Sequence, residues 1–203
     1  MKSYNQYCGT AAALDLLGER WTLLILRDLL TGPRRYSDML ADLHGITTNL
    51  LAKRLRDMQS ADLITRIGTR YALTDKGQAT QPIILALADF GTSLLTFPPN
   101  HDQHTNPRWL VLNLHRRYRG GWDDQINITF PDKAFAISSD GTSLSIIESP
   151  PTFATSLIAS GPGLARWILM GASLDRLIAL KSVGLVGPRE PALELDACLS
   201  AVT

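Results

Sequence analysis

The first half of the chain alternates apolar helical segments with short polar breaks. Residues 10–17 are rich in Ala and Leu and end at a glycine, and residues 21–30 are almost continuously apolar and end at Thr-Gly-Pro. A short helical segment at 36–43 and a longer one at 47–60 follow, separated by His-Gly. The pattern predicts four helices, the last two joined by a glycine-containing turn, which is the helix-turn-helix arrangement.

The fourth predicted helix has one apolar and one polar side. Its leucines and Met58 recur at helical spacing, which leaves Asn49, Lys53 and Arg56 facing the other way. Asn, Lys and Arg side chains can pair with base edges or hold phosphates. The polar side is either a DNA-reading surface or the solvated side of an amphipathic helix, and the neighbouring segments must decide between the two.

A short hairpin is predicted directly after this helix. Two strand-like runs flank Gly68-Thr69, a two-residue loop with Gly first, which favours a tight type II′ turn. With that loop Arg66 lies opposite Tyr71, and Arg70 stands beside the turn. A helix-turn-helix followed by a basic hairpin is a winged helix, so the DNA-reading interpretation gains support.

The next helical segment, residues 81–95, is apolar on more than one side. A small domain does not need that much apolar surface for its own core, so a partner surface is predicted, and a second copy of the chain is the natural partner. A homodimer would place two recognition helices about 34 Å apart, one turn of DNA.

The second half begins after a stretch rich in Pro, Asn and His. We take residues 98–107 as a linker between a domain at 1–97 and a smaller one at 108–203. The second domain is predicted to be an antiparallel sheet with helices on one side, which makes the whole chain α+β. Its predicted helices are 108–118, 161–170, 174–180 and 190–199, and its predicted strands are 125–130, 134–138, 143–148, 153–159 and 182–186.

Composition agrees with a globular protein. Of the 203 residues, 45% are hydrophobic and 19% are charged, and no run of eighteen apolar residues occurs. Residues 1–7 are too polar for a signal peptide, so we expect a cytoplasmic protein that does not contact membrane. The two cysteines lie near opposite ends and are expected to be reduced thiols.

The net charge of +1 conceals a local basic patch. Residues 44–70 contain five Lys or Arg against two Asp or Glu, whereas residues 98–203 contain 9 against 10. A local excess on a near-neutral protein favours targeted contact with phosphates over general adhesion to polyanions.

Sequence motifs of catalysis are missing. The chain has no Gly-x-Ser-x-Gly, no phosphate-binding glycine loop and no His-Glu-x-x-His, so we expect no enzymatic activity and no cofactor. His101 and His104 lie in the predicted linker without a nearby cysteine, and we expect no metal there.

Residues 5–95 carry a combined pattern that resembles the HxlR family of winged-helix transcriptional regulators, relatives of the MarR group. The matching features are Cys8 ahead of the first helix, Leu17-Gly18 followed by Trp21, Leu26-Arg27-Asp28-Leu29, Gly32-Pro33, Arg35-Tyr36, Leu51 to Leu55, Leu63-Ile64, and Tyr71-Leu73-Thr74 with Gly77. The resemblance implies a set of side chains that face the major groove of operator DNA: Thr47, Thr48, Asn49, Lys53 and Arg54. It implies a second set against the DNA backbone or minor groove: Arg35, Arg66 and Arg70.

The chain departs from the family at two places. The wing is shorter than usual, so we expect it to contact phosphates rather than read the minor groove. Gly9 follows Cys8 where the family commonly has Pro. Some relatives use this cysteine as a redox sensor, because a helix start can stabilise a thiolate. Cys8 is therefore either a redox trigger or a buried structural thiol.

Residues 107–202 resemble the sterol carrier protein type of lipid-binding domain. The matching stretches are NITFPDKAFAISSDGTSLSIIE, LARWILMGASLDRLIALKSVGLVG and the closing helix. The resemblance implies a cavity between sheet and helices for an apolar or aromatic effector. Candidate lining residues, each of which is otherwise plain core, are Trp109, Phe135, Phe153, Trp167, Ile168 and Met170. Arg166 and Arg176 would hold a ligand carboxylate if they turned inward, and are otherwise solvated.

These expectations combine into a dimeric, sequence-specific transcriptional regulator, expected to be a repressor, whose second domain senses a small hydrophobic or aromatic ligand. Oxidation of Cys8 is an alternative trigger. A lipid carrier or hydrolase with an incidental helix-turn-helix is the alternative from another class.

Overall fold

The structure is a computed structural model that describes residues 3–199. Residues 1–2 and 200–203, the outermost parts of the two predicted domains, lie outside the described residues. The chain divides into two compact units, Met1–Leu87 and Ala88–Thr203. This division falls inside a helix rather than in the linker predicted at 98–107, and the second unit is the longer of the two.

The N-terminal unit contains the predicted helices and hairpin. Its elements are α1 (Gly9–Leu17), α2 (Thr22–Leu29), β1 (Arg34–Arg35), α3 (Tyr36–Asp42), α4 (Thr48–Ser60), β2 (Ile64–Ile67), β3 (Arg70–Leu73), α5 (Asp75–Gln78) and the beginning of α6 (Gln81–Thr92). The first four helices begin and end within one residue of the predicted positions, whereas α6 ends three residues early.

The core of this unit is formed by the apolar side of each helix. Leu51, Leu55 and Met58 of α4 are at most 2% exposed, as their spacing predicts, and they pack with Ile25 and Leu26 of α2, which are fully buried. Burying these side chains provides most of the stability of the unit, at about 1.5–3 kcal/mol for each large apolar side chain. The same packing directs the polar side of α4 outward.

The hairpin forms one side of a three-stranded antiparallel sheet in the order β1-β3-β2. Arg66 lies opposite Tyr71, as predicted, Ile64 lies opposite Leu73, and Gly68 in the turn has a φ of 59°. The strand β1 was not predicted, because two residues carry no alternation and are extended only by pairing with β3.

The short helix α5 locks the connection between α4 and β2. The hydroxyl of Thr74 donates to the Asp62 carbonyl at 2.6 Å, and Lys76 Nζ donates to the Ala61 carbonyl at 2.8 Å. Gly77 is required here, because a Cβ at this position would lie 2.0 Å from the Leu63 carbonyl oxygen. These contacts explain why Thr74 and Gly77 belong to one sequence pattern.

The C-terminal unit is a sheet with helices on one face. Its elements are α7 (Pro107–Arg117), β4 (Gln125–Thr129), β5 (Ala134–Ser139), β6 (Leu144–Glu148), β7 (Ser156–Ala159), α8 (Gly163–Met170), α9 (Leu174–Ala179), β8 (Val183–Val186) and α10 (Glu190–Ala197). All four helices contribute side chains to the core on that face of the sheet.

The predicted all-antiparallel sheet is wrong in one pairing. The strand order is β6-β5-β4-β7-β8, and β4 and β7 run parallel. The reason is that the chain after β6 crosses to the edge of β4 opposite β5, where β7 pairs with β4. Hydrogen bonds from the side chain of Asn127 hold the segment just before β7 in place. Asn127, fully buried on β4, donates to the Phe153 carbonyl at 2.8 Å and accepts from the Thr152 amide at 3.0 Å.

The helices α7, α8 and α10 are joined by buried polar contacts. Arg117, 6% exposed, donates to the Trp167 carbonyl at 2.5 Å, where a positive charge is favourable near the C-terminal end of α8. The indole of Trp167 donates to Asp196 at 2.7 Å. Within residues 3–199, the helices are all too short or too polar to span a membrane.

Candidate nucleic-acid interface

The N-terminal end of α4 is held in place by the turn and by α3. Gly45 has a φ of 89°, which L-residues rarely adopt, and Thr47 caps the helix by accepting from the Leu50 amide at 3.3 Å. The hydroxyl of Tyr36, at the start of α3, donates to the Thr48 carbonyl at 2.8 Å. The start of α4 is therefore fixed relative to α3 before any partner binds.

The first turn of α4 presents exposed polar side chains. Thr47, Thr48 and Asn49 are exposed, and Lys53 follows one turn later with its side chain 58% exposed. This is the arrangement that a helix needs to place hydroxyl, amide and ammonium groups against base edges and phosphates. Arg56 is exposed as well. The periodicity of α4 predicted that position, although the family pattern did not include it among the DNA-facing residues.

Lys53 has a partner on its own helix. Its Nζ donates to Asp57 Oδ2 at 2.8 Å, an i,i+4 pair, and this hydrogen bond lowers the pKa of the Asp57 carboxyl. An exposed pair of this kind contributes about 0.3–0.5 kcal/mol, so Lys53 can leave it for a phosphate.

The prediction that Arg54 faces the major groove is wrong for this structure. Arg54 is 8% exposed and forms ion pairs with Glu19 and with Asp57, the latter at 3.2 Å. The physical reason is the helical period, since position 54 follows Leu51 by three residues and precedes Met58 by four and so lies on the buried side.

The basic residues of the wing are exposed and adjacent. Arg35 on β1 lies opposite Arg70 on β3, and both side chains are exposed. Arg66 donates to the Gly68 carbonyl at 3.0 Å, and its guanidinium lies 6.0 Å from the centre of the Tyr71 ring. The structure thus brings the three predicted arginines to one small sheet, where they can bind phosphates.

Cys8 occupies the N-cap position of α1 and is exposed, so the expectation of a buried structural thiol is wrong. The backbone N–H groups of Ala11 and Thr10 at the start of α1 lower the pKa of its thiol, because they favour the thiolate. The other cysteine, Cys198, is half-buried in the C-terminal unit.

The candidate ligand residues of the C-terminal unit do not form one group. Phe135, Trp167 and Ile168 are fully buried in a common core, whereas Met170 is 54% exposed. Arg166 is exposed, as is Arg176, so neither side chain is turned inward.

Trp109 and Phe153 are both half-buried. The ring of Trp109 meets that of His104 edge to face at 5.5 Å, and the backbone carbonyl of Phe153 accepts from the central Asn127. His101 is exposed. Within residues 3–199, His, Cys, Asp and Glu side chains do not cluster in threes that could hold a metal.

The first half of the chain is similar to known proteins. The sequence profile of the HxlR-like helix-turn-helix family matches residues 16–97. An HTH-type transcriptional regulator of Synechocystis sp. is 35% identical over 95 residues, which is 43% of this chain and 70% of that protein. YodB, an HTH-type transcriptional regulator of Bacillus subtilis, is 32% identical over 79 residues, 36% of this chain and 70% of YodB.

The crystal structure of quinone-bound YodB from B. subtilis has 30% sequence identity and a TM-score of 0.39, and it covers 41% of this chain and 96% of that one. The region matched by the family profile includes α2 to α6, and therefore α4 and the hairpin of β2 and β3. These relatives are transcriptional regulators of the helix-turn-helix type. The chain belongs to the HxlR-like helix-turn-helix family of DNA-binding regulators.

Proposed function

We propose that the protein is a cytoplasmic, dimeric, sequence-specific repressor whose C-terminal unit senses a small apolar or aromatic ligand. The observation that carries the proposal is the exposed polar turn of α4, capped by Thr47 and followed by Lys53, beside a sheet that carries Arg35 and Arg70. Family membership supports the DNA-binding part.

In this proposal α4 enters the major groove of double-stranded DNA. Asn49 pairs with an adenine edge, Lys53 contacts a guanine or a phosphate, and Thr47 and Thr48 bind the backbone. The short wing adds phosphate contacts through its arginines, so sequence discrimination comes mainly from α4.

Dimerisation is supported by an apolar stripe on α6 and the residues just after it. Its side chains are spaced at helical intervals and are between 42% and 71% exposed: Ile83, Leu87, Phe90 and Leu94. An exposed apolar stripe of this kind indicates a protein partner, and a second copy gives the two half-site contacts that a single helix cannot. A dimer that covers a promoter would block transcription.

The sensing role is assigned to the C-terminal unit, and we assign it no catalytic role. Its layered sheet and helices, with aromatic side chains in the core, support the resemblance to lipid-binding domains. A ligand that favours another spacing of the two recognition helices would weaken DNA binding by population shift. Native mass spectrometry of the purified protein tests both features, because it measures the dimer mass and any bound apolar compound.

The DNA-reading proposal is tested with Asn49→Ala. We expect the variant to bind its own upstream DNA about 5- to 100-fold more weakly, which is the cost of one bidentate base contact, and to bind a scrambled duplex as the wild type does. Fluorescence anisotropy with both duplexes at fixed salt gives the two affinities. Equal preference for the two duplexes in the wild-type protein would remove the proposal.

A second trigger is supported by Cys8, which is exposed and whose thiol pKa is lowered. Oxidation or quinone addition at the start of α1 would then release DNA. We expect peroxide or a quinone to release DNA from the wild type and not from Cys8→Ser. Equal release from both proteins would exclude Cys8 as the trigger.

A further inference from the structure

Arg54 joins the recognition helix to the connection between α1 and α2. Its Nε donates to the Arg20 carbonyl at 3.1 Å, its Nη1 donates to Asp57 Oδ2 at 3.2 Å, and its Nη2 pairs with the Glu19 carboxylate. Glu19 and Arg20 belong to the four residues between the end of α1 and the start of α2. One planar guanidinium therefore contacts three acceptors, two of which lie outside α4.

The same connection contacts the turn before α4. Trp21 has a φ of 80°, in the left-handed region, and the guanidinium of Arg20 lies 5.2 Å from the centre of its ring. The indole reaches the turn, since a Cβ built on Gly45 would lie 3.9 Å from its Cη2 atom. The α1–α2 connection thus meets α4 at mid-helix, through Arg54, and the turn just before α4, through Trp21.

We propose that Arg54 is a positioning residue, which sets the recognition helix against the α1–α2 connection through Glu19 and Arg20 and does not itself contact DNA. The proposal rests on the DNA binding proposed above. It makes the orientation of α4 depend on the residues that follow α1, the helix whose N-cap is Cys8.

Arg54 and its neighbour Lys53 differ in the exposed fraction of their side chains. The side chain of Lys53 is 58% exposed and that of Arg54 is 10% exposed, and a phosphate would have to displace Glu19 to reach Arg54. The side chain of Glu19 is 48% exposed but the guanidinium of Arg54 is buried, so loss of the carboxylate leaves part of the guanidinium unpaired and should affect α4 more than loss of a surface ion pair.

For the Glu19→Gln variant, a positioning role and a purely electrostatic role of Glu19 predict opposite changes in DNA affinity. Removal of an exposed acid from a DNA-binding unit strengthens binding if the acid acts only through its charge. We expect the reverse, an affinity about 3- to 10-fold lower for the upstream duplex, because the amide no longer holds the guanidinium. The control Glu194→Gln, an exposed acid on α10, should leave the affinity unchanged. Equal or tighter binding by Glu19→Gln would overturn the proposal.

Arg54→Gln, measured over a range of salt concentrations, separates positioning from phosphate contact. Loss of one phosphate contact lowers the slope of log K against log salt by about 0.9, whereas loss of positioning lowers affinity at an unchanged slope. We expect the unchanged slope. In the double variant Glu19→Gln/Arg54→Gln the two losses should not add, because both variants break the same contact. A lower slope for Arg54→Gln, or additive losses, would contradict the proposal.

Amide hydrogen exchange tests the positioning role of Arg54 in the absence of DNA. Residues 48–60 should exchange faster in Glu19→Gln than in the wild type, while α10 exchanges at the same rate and circular dichroism remains that of a folded protein. If the wild type bound no DNA, the proposed function would be wrong. Hydrogen exchange would still show whether the contact between Glu19 and Arg54 positions α4. Unchanged exchange in α4 would overturn that role.

Discussion

Neighbouring side chains on α4 have different roles because the helical period turns them to different sides. Leu51 and Leu55 are at most 1% exposed and hold the helix in the core. Lys53 and Arg56 are exposed, and in the proposed function they face DNA. Only the second pair can add to the salt dependence of DNA binding, since counterion release requires direct contact with phosphate.

Replacing Lys53 by Ala should lower the salt slope of DNA binding by about 0.9 if its ammonium neutralises one phosphate. The measurement is the dissociation constant for the upstream duplex between low and moderate salt. Arg176→Ala, which removes an exposed cation from the C-terminal unit, is the matched control and should leave the slope unchanged. A wild-type slope in Lys53→Ala would show that Lys53 does not contact phosphate.

His115 makes the stability of the C-terminal unit depend on pH. Burial lowers the pKa of His115 to about 4, while the unfolded chain titrates near the ordinary value of about 6.5. The unfolded state therefore takes up a proton that the folded state does not, and stability is lost as pH falls from about 6.5 towards 4. The loss should reach about 1–2 kcal/mol at pH 5.

The check is urea unfolding at pH 7 and pH 5, followed by tryptophan fluorescence. Trp109, Trp122 and Trp167 lie in the C-terminal unit, so the signal reports mainly on that unit. His115→Gln should lose less stability between the two pH values than the wild type. The same loss in both proteins would show that other groups cause the pH dependence.

Single elements differ in how well their sequences determine them. The helix α4 was predicted within one residue, and the apolar positions of its stripe are buried, because periodicity reports packing directly. The resemblance to the family implies that Arg54 faces DNA, whereas its position in the helical period puts it on the buried side of α4. The strand β1, the helix α5 and the parallel pairing of β4 with β7 depend on contacts distant in sequence, such as those of Asn127.

We predict that the exposed apolar stripe on α6 forms the dimer interface. Phe90→Asp introduces a charge where 71% of an aromatic side chain is exposed, and we expect it to shift the protein to monomer and to weaken DNA binding at least tenfold. Sedimentation analysis measures the mass. Leu180→Asp, at an apolar residue that is 64% exposed after α9, should stay dimeric. A dimeric Phe90→Asp protein would place the interface elsewhere.

For the whole molecule, the sequence predicted which side chains of α4 are exposed better than it predicted the ligand residues or the place where the two units divide. DNA-reading residues must be exposed and polar, so they stand out from the apolar period. Ligand-lining residues share their chemistry with the core, and Phe135 and Trp167 are fully buried core residues here. A pattern of apolar residues around glycines therefore predicts the fold of the unit better than it predicts which residues bind a ligand.

Hydroxyl-radical footprinting of the protein on the DNA upstream of its own gene tests the central claim most directly. A dimer that inserts one α4 into each of two half-sites should protect two patches whose centres lie about 10 base pairs apart, or a multiple of that spacing. Asn49→Ala should lose both patches at the same protein concentration. Protection that is absent, confined to a single patch, or equal on unrelated DNA would contradict dimeric, sequence-specific recognition by this helix.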